Sequence, residues 1–300
     1  MLSVSPAVHH GGRRGRLAAA AVFVVSTALA MVRLMGRHRR VLWATTRVEL
    51  EKRFAGSAFG KLWVVLLPIL LLGTYVFVFR VVFGARLSAD AAARLTGLPA
   101  DDPMLFVLYV FCGLIPYIGF SEAVTSGCLS LKQNIHLVKN VIVPIELIAP
   151  RVVAVSLVSQ GVSLGIVTVL TVSKGLATWH LLWLPVVVAL QALGTLGLVW
   201  VLSAAGVLLS DIAYFMNVFM LFLLYVSPVA FEPSAVPVAL RWIVYANPTY
   251  YMIESYRSCL LFGRLPEPWV ASVAVVLAFG SFALGAALFR RLQHVLVDYD

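Results

Sequence analysis

The amino-acid sequence predicts an all-α, polytopic membrane protein with six transmembrane helices. Hydrophobic residues make up 61% of its 300 residues and charged residues only 12%, about half the charged fraction of a typical soluble domain. The mean hydropathy is +0.96. Because the apolar residues form long unbroken runs and do not alternate with polar ones, an outer-membrane barrel is excluded. The same composition excludes a disordered chain and argues against an ordinary soluble enzyme.

Six apolar runs are close to, or exceed, the roughly 20 residues that a helix needs to cross a bilayer. They cover residues 62–83, 104–125, 147–172, 181–209, 214–231 and 269–289. An even number of spans places both termini on one side of the membrane. The stretch from Met31 to Trp63 carries eight basic and two acidic residues. The positive-inside rule therefore puts that side in the cytoplasm, together with Lys132, Lys139 and Arg151.

Two segments precede the first span. Residues 1–35 form an N-terminal extension, whose apolar run at 17–32 is only 16 residues long. We expect that run to form a helix at or partly in the inner interface, and a seventh span is the alternative. Residues 36–61 mix apolar positions with many charges. They predict an amphipathic helix on the inner membrane surface, and the alternative is a positively charged flank that only fixes topology. The membrane domain then occupies residues 62–300.

The sequence carries no pattern that points to a catalytic or metal site. The histidines lie in predicted loops or flanks, and the three cysteines are far apart, which favours plain packing thiols. The segment from Gly56 to Leu62 resembles a phosphate-binding loop, but it has three residues between its glycines and no Ser or Thr after Lys61. The chain therefore lacks an ATPase site of its own, and any uphill transport needs energy from elsewhere.

Glu122 is the one acidic residue that lies well inside a predicted span. An ionisable residue in a membrane is a functional candidate by default, for example in a proton relay. We favour a simpler interpretation, in which Glu122 lies at the inner headgroup boundary and pairs with a nearby Lys or Arg. A relay would need partners at a similar depth, and the other spans supply none.

Two loops stand out. The inner loop, residues 126–146, predicts a short helix with one apolar face that ends near Pro144. Such a helix can dock in the groove of a partner, and the alternative is packing on its own membrane domain. The outer segment, residues 232–268, is rich in proline and holds two apolar stretches too short to span. These predict re-entrant or interfacial half-helices, which indicate an outer gate.

Aromatic residues recur at helical spacing in three of the predicted spans. Aromatic rings stack on the C–H faces of sugars without tight binding, which suits a polymer that slides along a path. Ordinary helix packing or lipid contact is the alternative for each of them. The stripes are Tyr75, Phe79 and Phe83; Phe106, Tyr109, Tyr117 and Phe120; and Phe215, Phe219, Phe222 and Tyr225.

Four groups of residues resemble motifs of one family, the membrane subunits of type-2 ABC exporters, and most closely its polysaccharide exporters. They are Arg53-Phe54-x-Gly56-Ser57-x-x-Gly60-x-Leu62-Trp63 with Pro68; Asn134-x-x-Leu137-Val138-Lys139 with Pro144-x-Glu146-Leu147; Ser227-Pro228 with Asn247-Pro248; and Glu254-x-x-Arg257. The resemblance covers about residues 38–290 in the family's order. Two features depart from it: Ser210 stands before Asp211 where the family often has Arg, and the run 17–32 is additional.

The resemblance implies a permease subunit in a bacterial cytoplasmic (inner) membrane. It implies a homodimer bound to two ATPase chains that carry ATP and Mg, with no cofactor on this chain and no nucleic acid as partner. The substrate implied is a lipid-linked glycan such as O antigen, capsule or teichoic acid. The alternatives are export of a drug or small lipid and, as a rival class, a glycosyltransferase that uses polyprenyl phosphate.

The family analogy also implies roles for particular residues. ATPase coupling is assigned to Leu131, Lys132, Asn134, His136, Leu137, Lys139 and Arg53. The substrate pathway and outer gate are assigned to Tyr75, Phe79, Tyr109, Tyr117, Phe219, Phe222, Tyr250, Tyr251, Glu254 and Arg257.

Overall fold

The computed structural model describes residues 13–53, 56–84, 103–134 and 144–298. Within these ranges the chain is helical and contains no β-strand, which confirms the predicted all-α class. The helices are α1 (Arg13–Arg37), α2 (Arg39–Arg53), α3 (Trp63–Val76), α4 (Pro103–Cys128), α5 (Ser130–Gln133), α6 (Ile148–Ser173), α7 (Leu184–Leu208), α8 (Ile212–Val226), α9 (Arg241–Ala246), α10 (Pro248–Leu260) and α11 (Pro268–Asp298).

In the part of the chain that the structure describes, five helical segments are long and apolar enough to cross a membrane. They are Trp63–Val82, Met104–Cys128, Ile145–Ser173, Trp179–Leu208 and Pro268–Gln293, and each matches a predicted span. The first combines α3 with a π-helical continuation over Phe77–Val82. The third and fourth include a turn of 3₁₀ helix ahead of α6 and α7.

The predicted fifth span, 214–231, is shorter than expected. Its helix α8 is an apolar helix of 15 residues that ends at Val226. Ser227 has an extended backbone (φ −75°, ψ 140°) because it precedes Pro228, whose ring disfavours helical geometry in the residue before it. The chain after Val226 therefore turns back against the other helices.

Helices α7 and α11 pack backbone to backbone. A Cβ atom on Gly197 would lie 2.1 Å from the carbonyl oxygen of Ser281, and one on Gly285 would lie 2.1 Å from the carbonyl oxygen of Gly197. Small residues permit such close approach between membrane helices. The Ser281 hydroxyl also donates a hydrogen bond to the Gly194 carbonyl at 2.8 Å. The last helix is thus fixed along α7.

Helix α1 (Arg13–Arg37), which takes in the described part of the N-terminal extension, packs on the helical body. Thr27 and Met31 are buried, and Met31 belongs to the same apolar cluster as Phe282 and Phe289 of α11. The Arg291 guanidinium lies 5.1 Å from the Phe23 ring. The opposite face of α1 exposes apolar side chains: Val22, Val25, Leu29 and Val32. A helix that is apolar on all sides suits contact with lipid, and its depth in the bilayer stays a prediction.

Candidate functional site

The end of the molecule that is predicted to face the cytoplasm is organised around an ion pair between Arg53 and Glu122. Arg53 Nη1 donates a hydrogen bond to Glu122 Oε1, and a longer one of 3.4 Å to Ser159 Oγ. The Glu122 side chain is only 17% exposed, so an unpaired carboxylate would be costly there. The structure confirms that Glu122 pairs with a basic residue. It also shows that α2 is bound to α4 and α6 through this pair.

A small cavity of about 110 Å³ adjoins the ion pair. Its walls come from α3, α4 and α6, and include Trp63, Pro68, Gly119 and Gln160. Helix α2 is held a second time by Arg151 of α6, whose guanidinium lies 3.9 Å from the Glu49 carboxylate. Helix α2 is therefore attached directly to α6, the helix that follows the inner loop.

The beginning of the inner loop is well defined. Leu131 is fully buried in the apolar core, so its side chain anchors the loop and does not face a partner. The Asn134 amide donates to the Ser130 carbonyl at 2.7 Å and closes the short helix α5. Lys132 Nζ donates to Ser210 Oγ at 2.6 Å. His136, Leu137 and Lys139 lie outside the described residues, so their coupling role stays a prediction.

The contact between Lys132 and Ser210 joins the inner loop to the loop between α7 and α8. In the sequence, Ser210 stands out only as a departure from the family pattern, and nothing there connects it to Lys132. The two residues are 78 positions apart, and no local pattern links them. At this position the serine hydroxyl accepts a hydrogen bond from the lysine ammonium, whereas an arginine would repel that group.

At the outer end, Arg257 of α10 is fully buried. Its guanidinium carbon lies 3.6 Å from the centre of the Tyr109 ring. Nε donates to the Tyr109 carbonyl at 3.2 Å and Nη2 to the Val229 carbonyl at 2.6 Å, while Nη1 has no hydrogen-bond partner among the described residues. A buried charge needs such partners to offset its desolvation. Arg257 thereby joins the outer half-helix to α4 and to the chain after α8.

Tyr109 and Tyr117 were predicted as path-lining aromatics, but both rings are buried within the chain. The Tyr109 hydroxyl donates to the Phe231 carbonyl at 3.2 Å, and the Tyr117 hydroxyl donates to the Met220 carbonyl. The alternative of helix packing therefore describes these two residues. The Tyr117 phenol thus binds the middle of α8, and the Tyr109 phenol binds the chain just before the outer segment.

The outer segment contains two half-helices, α9 and α10, joined at Asn247. Asn247 Oδ1 accepts a hydrogen bond from the Thr249 backbone N–H at 3.0 Å, and Nδ2 donates to Ser227 Oγ at 3.0 Å. The hydroxyls of Ser227 and Thr249 lie 2.7 Å apart. Two motifs that are separate in the sequence, Ser227-Pro228 and Asn247-Pro248, thus meet in one buried polar cluster that fixes where α10 begins.

An aromatic cluster covers these half-helices. The rings of Tyr250 and Trp269 are stacked with their centres 6.0 Å apart, and the Tyr251 hydroxyl donates to the Tyr245 carbonyl at 2.8 Å. Burial, together with the nearby charge of Glu254, raises the pKa of the Tyr250 phenol above its ordinary value. The phenol therefore remains neutral. Tyr250 and Tyr251 are both buried, so their rings fill the interior at this end of the molecule.

Helix α8 carries an aromatic face that is exposed on the surface of the protein. Phe219 is 38% exposed and Phe222 59%, and the rings of Phe215 and Phe219 are stacked at 6.0 Å. In the first span, Tyr75 of α3 and Phe79 of its π-helical continuation are half-buried, and their rings stack with their centres 5.7 Å apart. Of the predicted path-lining residues, those on α8 are thus available to a partner, a lipid or a substrate.

In the described part of the chain, no three His, Cys, Asp or Glu side chains are grouped so as to hold a metal ion. The polar chemistry of the molecule instead lies in hydrogen bonds and ion pairs between helices.

Comparison with known proteins shows which family has a matching sequence. Residues 40–261 match the ABC-2 type transporter family. The chain is 29% identical over 250 residues to the O-antigen export system permease protein RfbA of Myxococcus xanthus, covering 82% of this chain and 90% of that protein. It is 22% identical over 258 residues to a protein of the same name from Klebsiella pneumoniae, covering 85% and 92%. The helix α1 precedes the segment that matches the family.

Proposed function

The chain belongs to the ABC-2 type transporter family, and we propose that it is the permease subunit of an ATP-driven exporter of O antigen or a related lipid-linked cell-envelope glycan. The observation that carries this proposal is the similarity to O-antigen export permeases along more than four-fifths of the chain. The outer segment with its buried helix α10 and the inner loop lie at opposite ends of the path in this proposal.

Energy for transport comes from a separate chain in this proposal. The sequence has no phosphate-binding loop of the required spacing, so ATP and Mg bind to a partner ATPase. Two permease subunits assemble with two ATPase subunits in the bacterial inner membrane, with both termini in the cytoplasm. The inner loop, which begins at α5, and the surface helix α2 lie at the ATPase side.

The exposed aromatic face of α8 supports a permease homodimer with the path at its interface. A two-fold dimer buries the same surface of both subunits, and several of the rings that the chain leaves exposed, including Phe219 and Phe222, lie together on α8. Aromatic faces permit sugars to slide past because stacking is tolerant of position. The closure of the ATPase pair moves α2 and the inner loop, and the outer half-helices respond by opening.

A deletion strain of the native host tests the proposal. Loss of the gene is expected to remove the surface glycan while the lipid-linked glycan accumulates inside the cell, and the wild-type gene is expected to restore export. In the strain that carries the wild-type gene, the protein is expected to co-purify with an ATPase subunit. Unchanged surface glycan combined with altered drug sensitivity would instead identify a drug exporter. ATP hydrolysis by the permease alone would contradict the assignment of energy to a partner.

A further inference from the structure

Three buried side chains form a closed hydrogen-bond network between the two ends of the molecule. Gln160 of α6, Gln191 of α7 and Tyr256 of α10 are 4%, 8% and 0% exposed. Gln160 Nε2 donates to Gln191 Oε1 and to the Tyr256 hydroxyl, both at 2.9 Å. Gln191 Nε2 donates to Gln160 Oε1 at 2.9 Å and to the Pro116 carbonyl of α4 at 3.1 Å. The Tyr256 hydroxyl donates to Gln191 Oε1.

Every donor in this network is used. Each amide nitrogen has two protons and makes two hydrogen bonds, and the phenol both donates and accepts. Four helices are thereby joined in one polar contact inside an apolar core. A satisfied buried network specifies one arrangement of its helices, because a shift that breaks one bond leaves buried groups without partners.

The fit at α4 is tight. A Cβ atom on Gly119 would lie 2.0 Å from Gln160 Oε1, so a side chain there would displace the amide. Three residues earlier in the same helix, Pro116 removes one backbone N–H from the helical ladder. The network therefore meets α4 at the place where that helix is least constrained by its own hydrogen bonds.

The network also has open space on both sides. Gln160 lines the cavity of about 110 Å³ that contains the Arg53–Glu122 pair. Gln191 lines a larger, mostly apolar cavity of about 280 Å³ that is bounded by α7, α10 and α11. A core without voids resists rearrangement, whereas these cavities leave the two amides room to change partners when the helices shift.

We propose that Gln160, Gln191 and Tyr256 are positioning residues that transmit movement of α4 and α6 to the outer half-helix α10. This inference rests on the proposed function. Helices α4 and α6 flank the inner loop, and α10 carries Arg257 directly after Tyr256. One residue of α10 thus binds α6 and α7 while the next binds α4, so movement of the inner helices reaches α10 at two adjacent points.

Tyr256→Phe tests the link with the smallest change. It removes only the hydroxyl, while Gln160 and Gln191 keep their reciprocal bonds. The complex with its ATPase is expected to assemble and to hydrolyse ATP as the wild type does, while glycan export falls at least about fivefold, the lower end of typical coupling between sites. Gln191→Leu, which removes the bond to Pro116 as well, is expected to have the larger effect.

Tyr245→Phe is the matched control. It makes the same chemical change on the neighbouring half-helix, where the hydroxyl of a 38% exposed tyrosine makes no hydrogen bond among the described residues. Export by this variant is expected to match the wild type. Wild-type export by Tyr256→Phe, or an export loss that is matched by an equal loss of ATPase rate or of assembled protein, would overturn the inference.

Cys259 provides a readout that does not depend on the substrate. It lies in α10 and is 1% exposed, so a maleimide should label it slowly at rest in a variant with Cys112 and Cys128 replaced by Ala. Trapping the ATPase with nucleotide is expected to speed labelling in that background and not after Tyr256→Phe. A complex that exports no glycan but shows this difference would refute the proposed function alone. No nucleotide effect on Cys259 would refute the coupling.

Discussion

Arg53, the last residue of the surface helix α2, forms an ion pair with Glu122 of α4, 69 positions further along the chain. The same guanidinium reaches Ser159 of α6. The Arg53 side chain is 34% exposed and the Glu122 side chain is 17% exposed. The pair therefore holds α2 against the two spans that flank the inner loop. Without Arg53, the Glu122 carboxylate would be an unpaired charge inside a membrane segment, which is costly.

Removing one member of this pair should weaken the inner end of the protein. Glu122→Ala leaves the Arg53 guanidinium without its carboxylate, and we expect a loss of about 1–2 kcal/mol of stability, since partial exposure screens the charge. Thermal unfolding of the purified protein measures it. Glu51→Ala is the control, because its pair with Arg47 is largely exposed. Equal effects of the two variants would contradict a structural role for Glu122.

Arg257 should matter to both folding and export. Arg257→Met retains an apolar stem but leaves the carbonyls of Tyr109 and Val229 without their donors, and we expect a loss of about 2–4 kcal/mol. Arg257→Lys keeps the charge without the planar fork and should restore only part of it. Unfolding in detergent and surface glycan in cells are the measurements. Arg264→Ala is the control: its side chain is 40% exposed, so stability should change by less than about 1 kcal/mol. Normal stability and export by Arg257→Met would contradict a role for Arg257 in folding and export.

The contact between α7 and α11 should tolerate no added methyl group. Gly285→Ala places a Cβ atom 2.1 Å from the Gly197 carbonyl oxygen, and we expect it to cost about 1–3 kcal/mol because the helices must separate. Gly280→Ala on the same helix is the matched control, since no atom lies within 4 Å of the position of its Cβ. Unfolding temperatures of the two variants give the comparison. If Gly285→Ala is as stable as Gly280→Ala, helices α7 and α11 lie further apart than this structure places them.

The inner loop should carry the contact with the ATPase. Replacing His136, Leu137 and Val138 with Asp puts three charges on the predicted coupling helix, two of them at apolar positions, so we expect the ATPase to be lost from pull-downs. Size-exclusion chromatography of the permease alone checks that the variant still folds. Normal co-purification of the ATPase with this variant would place the contact elsewhere.

The sequence by itself determined the all-α class and the position of five spans, because span length and charge bias are local properties of the chain. It also determined that Glu122 needs a basic partner, since a carboxylate is costly inside a span. The family motifs indicated that the outer segment and the inner loop are important. None of these conclusions needs knowledge of which helix lies beside which.

Only the tertiary structure decided which residues meet. The partner of Glu122 is Arg53, Lys132 binds Ser210, and Gln160, Gln191 and Tyr256 come together from three helices. Helical spacing placed Tyr109 and Phe219 in equivalent stripes, yet one is buried and the other is open to the outside. Periodicity identifies residues that share a face of a helix, whereas packing of distant segments decides what that face contacts.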